Sequence, residues 1–291
     1  MIEVRDLRKE YGGFTAVEGS TFSVDAGEVY GIIGPNGAGK TTTLKMLAGL
    51  LEPTAGDVSV AGHDAGTNEM RRRLGFLPEE SPLYEEMTPL SYLGFFADLY
   101  DVDDGVADRR IHDTLDELDL EHRERQLGDM SKGMKRKVAI ARSLINDPDV
   151  LVYDEPASGL DPLTTNYVID FTSSLAEQGK TIVFSAHNLY HVESICDRIA
   201  IMNEGRVVAQ GPLEDLQAKH GETEYHVFTT VELPGSVQEN GRYRTVVDSM
   251  DGVEGVRTDA QNAEGSVVDI RTEESSLEEV FLDLAESGAK T

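Results

Sequence analysis

Apolar residues along this chain fall into two periods, and the switch between them marks out its elements. Glu28-Val29-Tyr30-Gly31-Ile32-Ile33 is a short, nearly continuous apolar run, the pattern of a strand buried on both faces. Val150-Leu151-Val152-Tyr153 and Thr181-Ile182-Val183-Phe184-Ser185 repeat it. Between these runs the spacing lengthens. Residues 42–50 read as a helix, residues 90–100 are amphipathic, residues 111–120 predict another helix, and the stretch from about 80 to 146 is mainly helical. Over residues 132–146, Met134, Val138, Ala141 and Ile145 recur at three- and four-residue steps. That predicts a helix that has one apolar face and whose positive N-terminus is suited to grip a phosphate. Ser131 is placed to cap it and Asp147-Pro148 to stop it.

The flanks are richer in strands. Residues 1 to about 27 read as antiparallel strands, with Tyr11 at a turn and Asp25-Ala26-Gly27 closing a hairpin. A further strand lies around Val58-Ser59-Val60, and Asn203-Glu204-Gly205 is a hairpin turn between two more. Pro212-Leu213-Glu214-Asp215-Leu216 starts a short helix. From about residue 220 the character changes. Strand candidates at 224–230, 242–248 and 267–271 are joined by Gly-, Asn- and Asp-containing links, and residues 275–284 form an amphipathic helix with a capping-box start. The expected organisation is a large domain over 1–219 and a small accessory α+β domain over 220–291.

Composition narrows the function. The net charge is −28, from 54 acidic against 26 basic residues, so the basic stripe of a generic nucleic-acid surface is not expected. The acids are spread along the whole chain, a distribution suited to solubility in a high-salt cytoplasm. No stretch approaches the roughly 18 apolar residues of a membrane span, and Met1-Ile2-Glu3-Val4-Arg5 does not open a signal peptide. Cys196 is the single cysteine; it excludes an internal disulfide and fits a reducing compartment. No Cys/His spacing suggests zinc.

The candidate chemistry begins directly after the first apolar run. Gly34-Pro35-Asn36-Gly37-Ala38-Gly39-Lys40-Thr41 matches G-x-x-x-x-G-K-[ST] at every fixed position, between a strand and a helix. The glycines let backbone N–H groups turn toward phosphate oxygens, and the helix start adds its positive dipole end. Lys40 is expected to reach the β- and γ-phosphates and Thr41 to hold Mg²⁺ through its hydroxyl. The run 150–153 ends in Asp154-Glu155. Asp154 there can hold Mg²⁺, and Glu155 can act as base toward the attacking water.

These motifs, taken in order with Met130-Ser131-Lys132-Gly133-Met134, Ser158-Gly159-Leu160-Asp161 and Ser185-Ala186-His187, resemble the ATP-binding subunit of an ABC transporter over residues 1 to about 219. Met130–Met134 stands at the family's Leu-Ser-Gly-Gly-Gln signature, with only Ser131 and Gly133 kept. Ser158–Asp161 resembles the D-loop, His187 the switch histidine, and Tyr11 the aromatic that stacks on adenine. The resemblance implies an α/β P-loop NTPase of ABC type with an antiparallel β subdomain, a helical subdomain over about 80–146 and a small α+β C-terminal extension. It implies that Tyr11, Gly34, Pro35, Asn36, Gly37, Ala38, Gly39, Lys40, Thr41, Thr42, Ser131, Gly133 and Asp161 hold ATP. Glu155 and His187 would be catalytic, and Thr41, Glu79 and Asp154 would hold Mg²⁺. Glu79 stands where the family has Gln, which adds a negative charge near the phosphates.

Further expectations come with the family. The signature completes the site of a second copy, or of a paralogue, packed head to tail. An integral membrane permease is the other partner, and a face with Leu83, Tyr84 and Met87 could receive a short helix from it. No nucleic-acid partner is expected. The subunit would sit in the cytoplasm on the inner face of the membrane. Lys132 and Met134 resemble a variant of exporter-type members with a separate permease. A soluble ABC-type ATPase acting on ribosomes or DNA is the alternative; it usually has paired engines in one chain or a long coiled-coil insert. A P-loop kinase or GTPase would leave Ser131 and His187 unexplained.

Overall fold

A computed structural model of the chain describes residues 1–220, 223–274, 278, 279 and 281. It divides into two compact units, Met1–Pro212 and Leu213–Thr291. The first runs β1 (Ile2–Tyr11), β2 (Phe14–Val24), β3 (Val29–Ile33), α1 (Lys40–Leu47), β4 (Ala55–Val60), β5 (His63–Asp64), α2 (Asn68–Arg72), β6 (Leu74–Leu77), α3 (Pro89–Leu99), α4 (Asp104–Glu117), α5 (Lys132–Leu144), β7 (Val150–Tyr153), α6 (Pro162–Glu177), β8 (Thr181–Ser185), α7 (Leu189–Ile195), β9 (Arg198–Asn203) and β10 (Arg206–Pro212).

Two sheets organise this unit. One is antiparallel, in the order β2-β1-β4-β5. The other runs β10-β9-β3-β8-β7-β6, parallel from β9 to β6 with β10 antiparallel at one edge. The fully buried runs β3, β7 and β8 take its interior, where both faces are covered. One apolar cluster joins inward residues of both sheets, such as Val4, Val58, Ile32 and Val152, to Leu44 and Leu47 of α1. Asp25-Ala26-Gly27 does not close a hairpin. β2 pairs with β1, whereas β3 lies between β9 and β8, so this turn carries the chain from one sheet to the other. β2 alternates buried and exposed positions over most of its length and β3 does not, which is why they cannot be neighbours in one half-solvated hairpin.

The helical segment differs from its sequence pattern in two places. Helix α4 begins seven residues before the predicted start, capped by Asp103, whose carboxylate accepts from the N–H groups of Gly105 and Val106. Only Ala107 is buried in that first stretch, so there was no apolar period to read. Helix α5 is capped by Ser131 as expected, with Oγ accepting from the Met134 N–H at 3.3 Å. It is not half-exposed, however. Arg136, Val138, Ala139, Ile140, Ala141, Ser143 and Leu144 are all buried, because the helix packs against β6, α3 and α4 together.

The second unit contains α8 (Leu213–His220), β11 (Thr223–Thr229), β12 (Val237–Glu239), β13 (Arg242–Val247), α9 (Met250–Asn262) and β14 (Val267–Glu274). Its antiparallel sheet has the order β12-β13-β11-β14. Val253, Val256 and Ala260 of α9 pack on Val227 and Leu233. The β13–β14 connection, expected as a Gly-, Asn- and Asp-containing link, is a helix: Gly252 and Gly255 lower helix propensity there, but Ser249 caps it and the sheet supplies its apolar partner. The helix expected over 275–284 lies largely outside the described residues. Among those described, no helix is long and apolar enough to cross a membrane.

Candidate functional site

Four neighbouring parallel strands, β3, β8, β7 and β6, deliver their C-terminal ends to one edge of the sheet, where ligands of open α/β sheets bind. The loop after β3 needs its glycines for space as well as for conformation. A Cβ on Gly34 would lie 2.3 Å from the Met202 carbonyl oxygen, and one on Gly39 (φ +101°) would lie 2.5 Å from that of Ala16. Helix α1 starts at Lys40 without a side-chain cap, so its first N–H groups are left to the loop. Lys40 is buried, and its Nζ donates to the carbonyls of Gly34 at 2.7 Å and Pro35 at 3.2 Å. Burial lowers its pKa, opposed by the charges of Glu155, Asp154 and Glu79. A cavity of about 550 Å³ opens beside this loop, lined by Tyr11, Phe14, Ala16, Asn36, Gly37, Ala38, Gly39, Lys40, Thr41, Thr42, Glu79, Glu155 and His187.

The end of β7 supplies the carboxylates. Asp154 is buried, and its Oδ1 accepts from the hydroxyls of Ser185 at 2.7 Å and Thr41 at 3.2 Å. Thr41 and Asp154 thus already converge, a hydroxyl beside a carboxylate, which is a donor set suited to Mg²⁺. Such ions are commonly held by one or two carboxylates plus substrate phosphates. Among the described residues, no group of three or more His, Cys, Asp or Glu side chains is placed to hold a metal ion by itself.

Glu155 stands in the left-handed region at φ +46°, a conformation costing a non-glycine residue about 1 kcal/mol or more. Its N–H donates to Ser185 Oγ at 3.0 Å, and its Oε2 accepts from the His187 N–H at 3.2 Å. Its Oε1 is buried without a hydrogen-bond donor, although His187 Nε2 lies 3.2 Å away. Burial pushes the Glu155 pKa up to about 7; Lys40 and the His187 N–H pull it down, and Asp154 and Glu79 add to the rise. A carboxyl tuned there is matched to proton transfer at neutral pH. Burial, and next the Lys40 charge, lower the His187 pKa, against the raising effect of Glu79 and Asp154.

The geometry brings together Tyr11, Asn36 to Thr42, Glu79, Glu155 and His187 around one cavity. Gly34 and Pro35 join it through the Lys40 bonds, and Asp154 through Thr41. Glu79 reaches the rim, with Oε1 3.5 Å from Ser158 Oγ. Ser131, Gly133 and Asp161 are not in that lining. They form a second cluster at the starts of α5 and α6. Asp161 caps α6 through Thr164, and a Cβ on Gly133 would touch the Thr164 side chain at 3.0 Å. Three contributors escaped sequence reading. Phe14 faces Tyr11 across the β1–β2 turn and shares the cavity; the alternation through that hairpin carries a signal for it. Ser185 ties Asp154 to Glu155, and its place at the end of a buried strand was visible. Arg136 had no local signal.

The chain is similar to known proteins over about three quarters of its length. Residues 17–158 match the sequence profile described as "ABC transporter". A protein of Burkholderia orbicola named Nod factor export ATP-binding protein I is 40% identical over 213 residues, covering 72% of this chain and 70% of its own. The linearmycin resistance ATP-binding protein LnrL of Bacillus subtilis is 35% identical over 224 residues, covering 76% and 72%. Among solved structures, an ATP-binding subunit of an ABC transporter superposes with a TM-score of 0.70 at 36% identity, covering 75% of this chain and 92% of its own. A dimeric ATP-binding cassette in a post-hydrolysis state, bound to ADP and Pi, gives 0.68 at 25% identity, covering 73% and 99%.

Proposed function

This chain belongs to the ABC transporter ATP-binding family, a family of ATPases, and on that premise we propose that it drives transport by a separate membrane permease through a head-to-tail pair of copies. The P-loop would take the triphosphate, with Tyr11 and Phe14 at the base end. Thr41 and Asp154 would hold Mg²⁺, with Glu79 at the rim. Bound there, Mg²⁺ would neutralise charge on the phosphoryl oxygens. Glu155 takes the proton of the attacking water as its oxygen bonds to the γ-phosphorus and the bond to ADP breaks. Glu155 lines the cavity beside the P-loop, which is where that proton has to be taken. His187 holds the other carboxylate oxygen through its backbone.

One observation carries the pairing: the chain bears two half-sites, a cavity without Ser131, Gly133 or Asp161 in its lining, and a cluster that contains them. A second copy closes both. The permease reading is supported by a hydrophobic surface on the helical segment. Leu99 (66% exposed) lines a groove of about 310 Å³ with Leu50, Phe76, Phe96 and Tyr100, edged by Arg71 and Arg142, and Tyr84 (58% exposed) packs on Phe95, which packs on Phe96. Leu83 and Met87 are only half-buried nearby. Export is favoured by the names of the relatives above and by the Lys132–Met134 variant. The place of work is then the cytoplasmic face of a membrane, and the second unit is an accessory domain. Purification from membranes tests the reading: a polypeptide with several spans is expected to accompany the chain, and its replacement by ribosomal or nucleic-acid components would favour the alternative.

A further inference from the structure

Arg136 is one turn into α5 and only 7% exposed, yet no carboxylate among the described residues forms an ion pair with it. Its guanidinium spans two loops instead. Nη1 donates to the carbonyls of Pro78 at 2.7 Å and Glu79 at 3.0 Å and to Ser81 Oγ at 3.3 Å. Nη2 donates to the carbonyls of Asp154 at 3.2 Å and Glu155 at 2.7 Å, and Nε to that of Pro156 at 2.6 Å. Five N–H donors thus serve six acceptors, five of them backbone. A lysine, a point charge with three donors, cannot reach both loops at once. Burial brings the Arg136 pKa down to about 10, so it stays charged at neutral pH. A buried charge held by five carbonyl dipoles and one hydroxyl is an expensive arrangement, and here it grips the peptide on which the hydrolytic carboxylate sits.

We propose that Arg136 is a positioning residue for hydrolysis: it fixes the strained Glu155 peptide and the Glu79 loop, and ties both rigidly to the helix that begins at Ser131. Glu155 is clamped from two sides, its N–H by Ser185 and its carbonyl by Arg136. A displacement of the Ser131 end of α5 therefore reaches the base through one side chain. In the pair of copies, nucleotide engaged by Ser131 of one chain would in this way set the base of the neighbouring site. That last link rests on the proposed head-to-tail pairing; the assignment of Arg136 to Glu155 does not.

The test uses the full chain with Arg136→Lys. Turnover is expected to fall about 100-fold, the scale of an ångström-sized misplacement of a reacting group. Nucleotide affinity, measured with a fluorescent ATP analogue, and KM are expected to stay within about twofold, because the P-loop is untouched. Hydrogen exchange read by mass spectrometry is expected to rise in residues 78–81 and 154–156 and nowhere else. Wild-type turnover in R136K, or exchange that rises throughout the first unit, would overturn the proposal. Should R136K not fold, Ser81→Ala removes one acceptor of the same clamp, and faster exchange confined to the two loops is the expected result; unchanged exchange there overturns it. Failure of an Arg136-containing Glu155→Gln chain to pair in Mg²⁺-ATP would remove the link between copies and leave the turnover and exchange results to judge Arg136.

Discussion

Replacing Glu155 by glutamine should stabilise the nucleotide-free protein while it abolishes turnover, and the structure sets both the size and the pH window of the gain. The Glu155 pKa rises from an ordinary 4.5 to about 7, chiefly because burial disfavours its charged form. At about 1.4 kcal/mol per tenfold change, the full shift corresponds to about 3 kcal/mol. The site is open on one side, and solvent screening brings the expected effect to about 1–2 kcal/mol. The sign follows from proton binding. Between pH 4.5 and 7 the folded chain holds a proton that the unfolded chain has released, so this stabilisation is complete below about 4.5 and lost as pH rises through about 7. Glutamine does not titrate. Chemical denaturation of both proteins with a metal chelator, at several pH values from 4.5 to 8, should show Glu155→Gln more stable by about 1–2 kcal/mol at pH 8, with the gap closing toward pH 4.5. Turnover of Mg²⁺-ATP should fall at least about 100-fold, as for loss of a general base. An equal or lower stability for the mutant at pH 8, a gap that does not narrow with falling pH, or near-normal turnover would each refute the reasoning.

Three further outcomes are expected. Lys40→Ala should weaken Mg²⁺-ATP binding about 10- to 100-fold, the equivalent of charged hydrogen bonds lost to phosphate, in a filter or fluorescence titration; unchanged affinity contradicts the phosphate cradle. Ser131→Arg should leave nucleotide affinity unchanged but prevent the Glu155→Gln chain from pairing in Mg²⁺-ATP, read by light scattering; an undisturbed dimer removes Ser131 from the seam. The denaturation midpoint should rise from dilute buffer into molar KCl as salt screens repulsion among the 54 acids; full stability and activity in dilute buffer count against the high-salt reading.

Much of the fold was legible because its interior is written in short apolar runs. β3, β7 and β8 are buried at every position, and runs of that kind admit few structures other than central parallel strands. The P-loop could be placed because its glycines are dictated by space the chain itself fills: Gly34 against Met202 and Gly39 against Ala16. What failed was the reading of contacts made by distant segments. Asp25-Ala26-Gly27 has the composition of a hairpin turn, and nothing local says that the strands on either side choose different sheets. Helix α9 carries two glycines and acquires its helical state from the sheet beneath it.

The candidate site divides along the same line. Glycines, Lys40, Thr41, Asp154 and Glu155 lie next to one another in sequence with the strand ends that present them, so type and spacing sufficed. Arg136 occupies a position that helical periodicity assigns to a basic, solvated face, between Lys135 and Lys137. Its burial follows from β6, α3 and α4 closing on α5 at once, and its partners lie 18 to 58 residues away. All but Ser81 Oγ are main-chain oxygens, which any sequence would supply. A charge–charge partner leaves a complementary residue to be noticed; a cation held by carbonyls leaves none. Residues that act on the reaction through the backbone of others are for that reason the ones a motif does not contain, and here such a residue joins the loop of Glu79 to the peptide of Glu155.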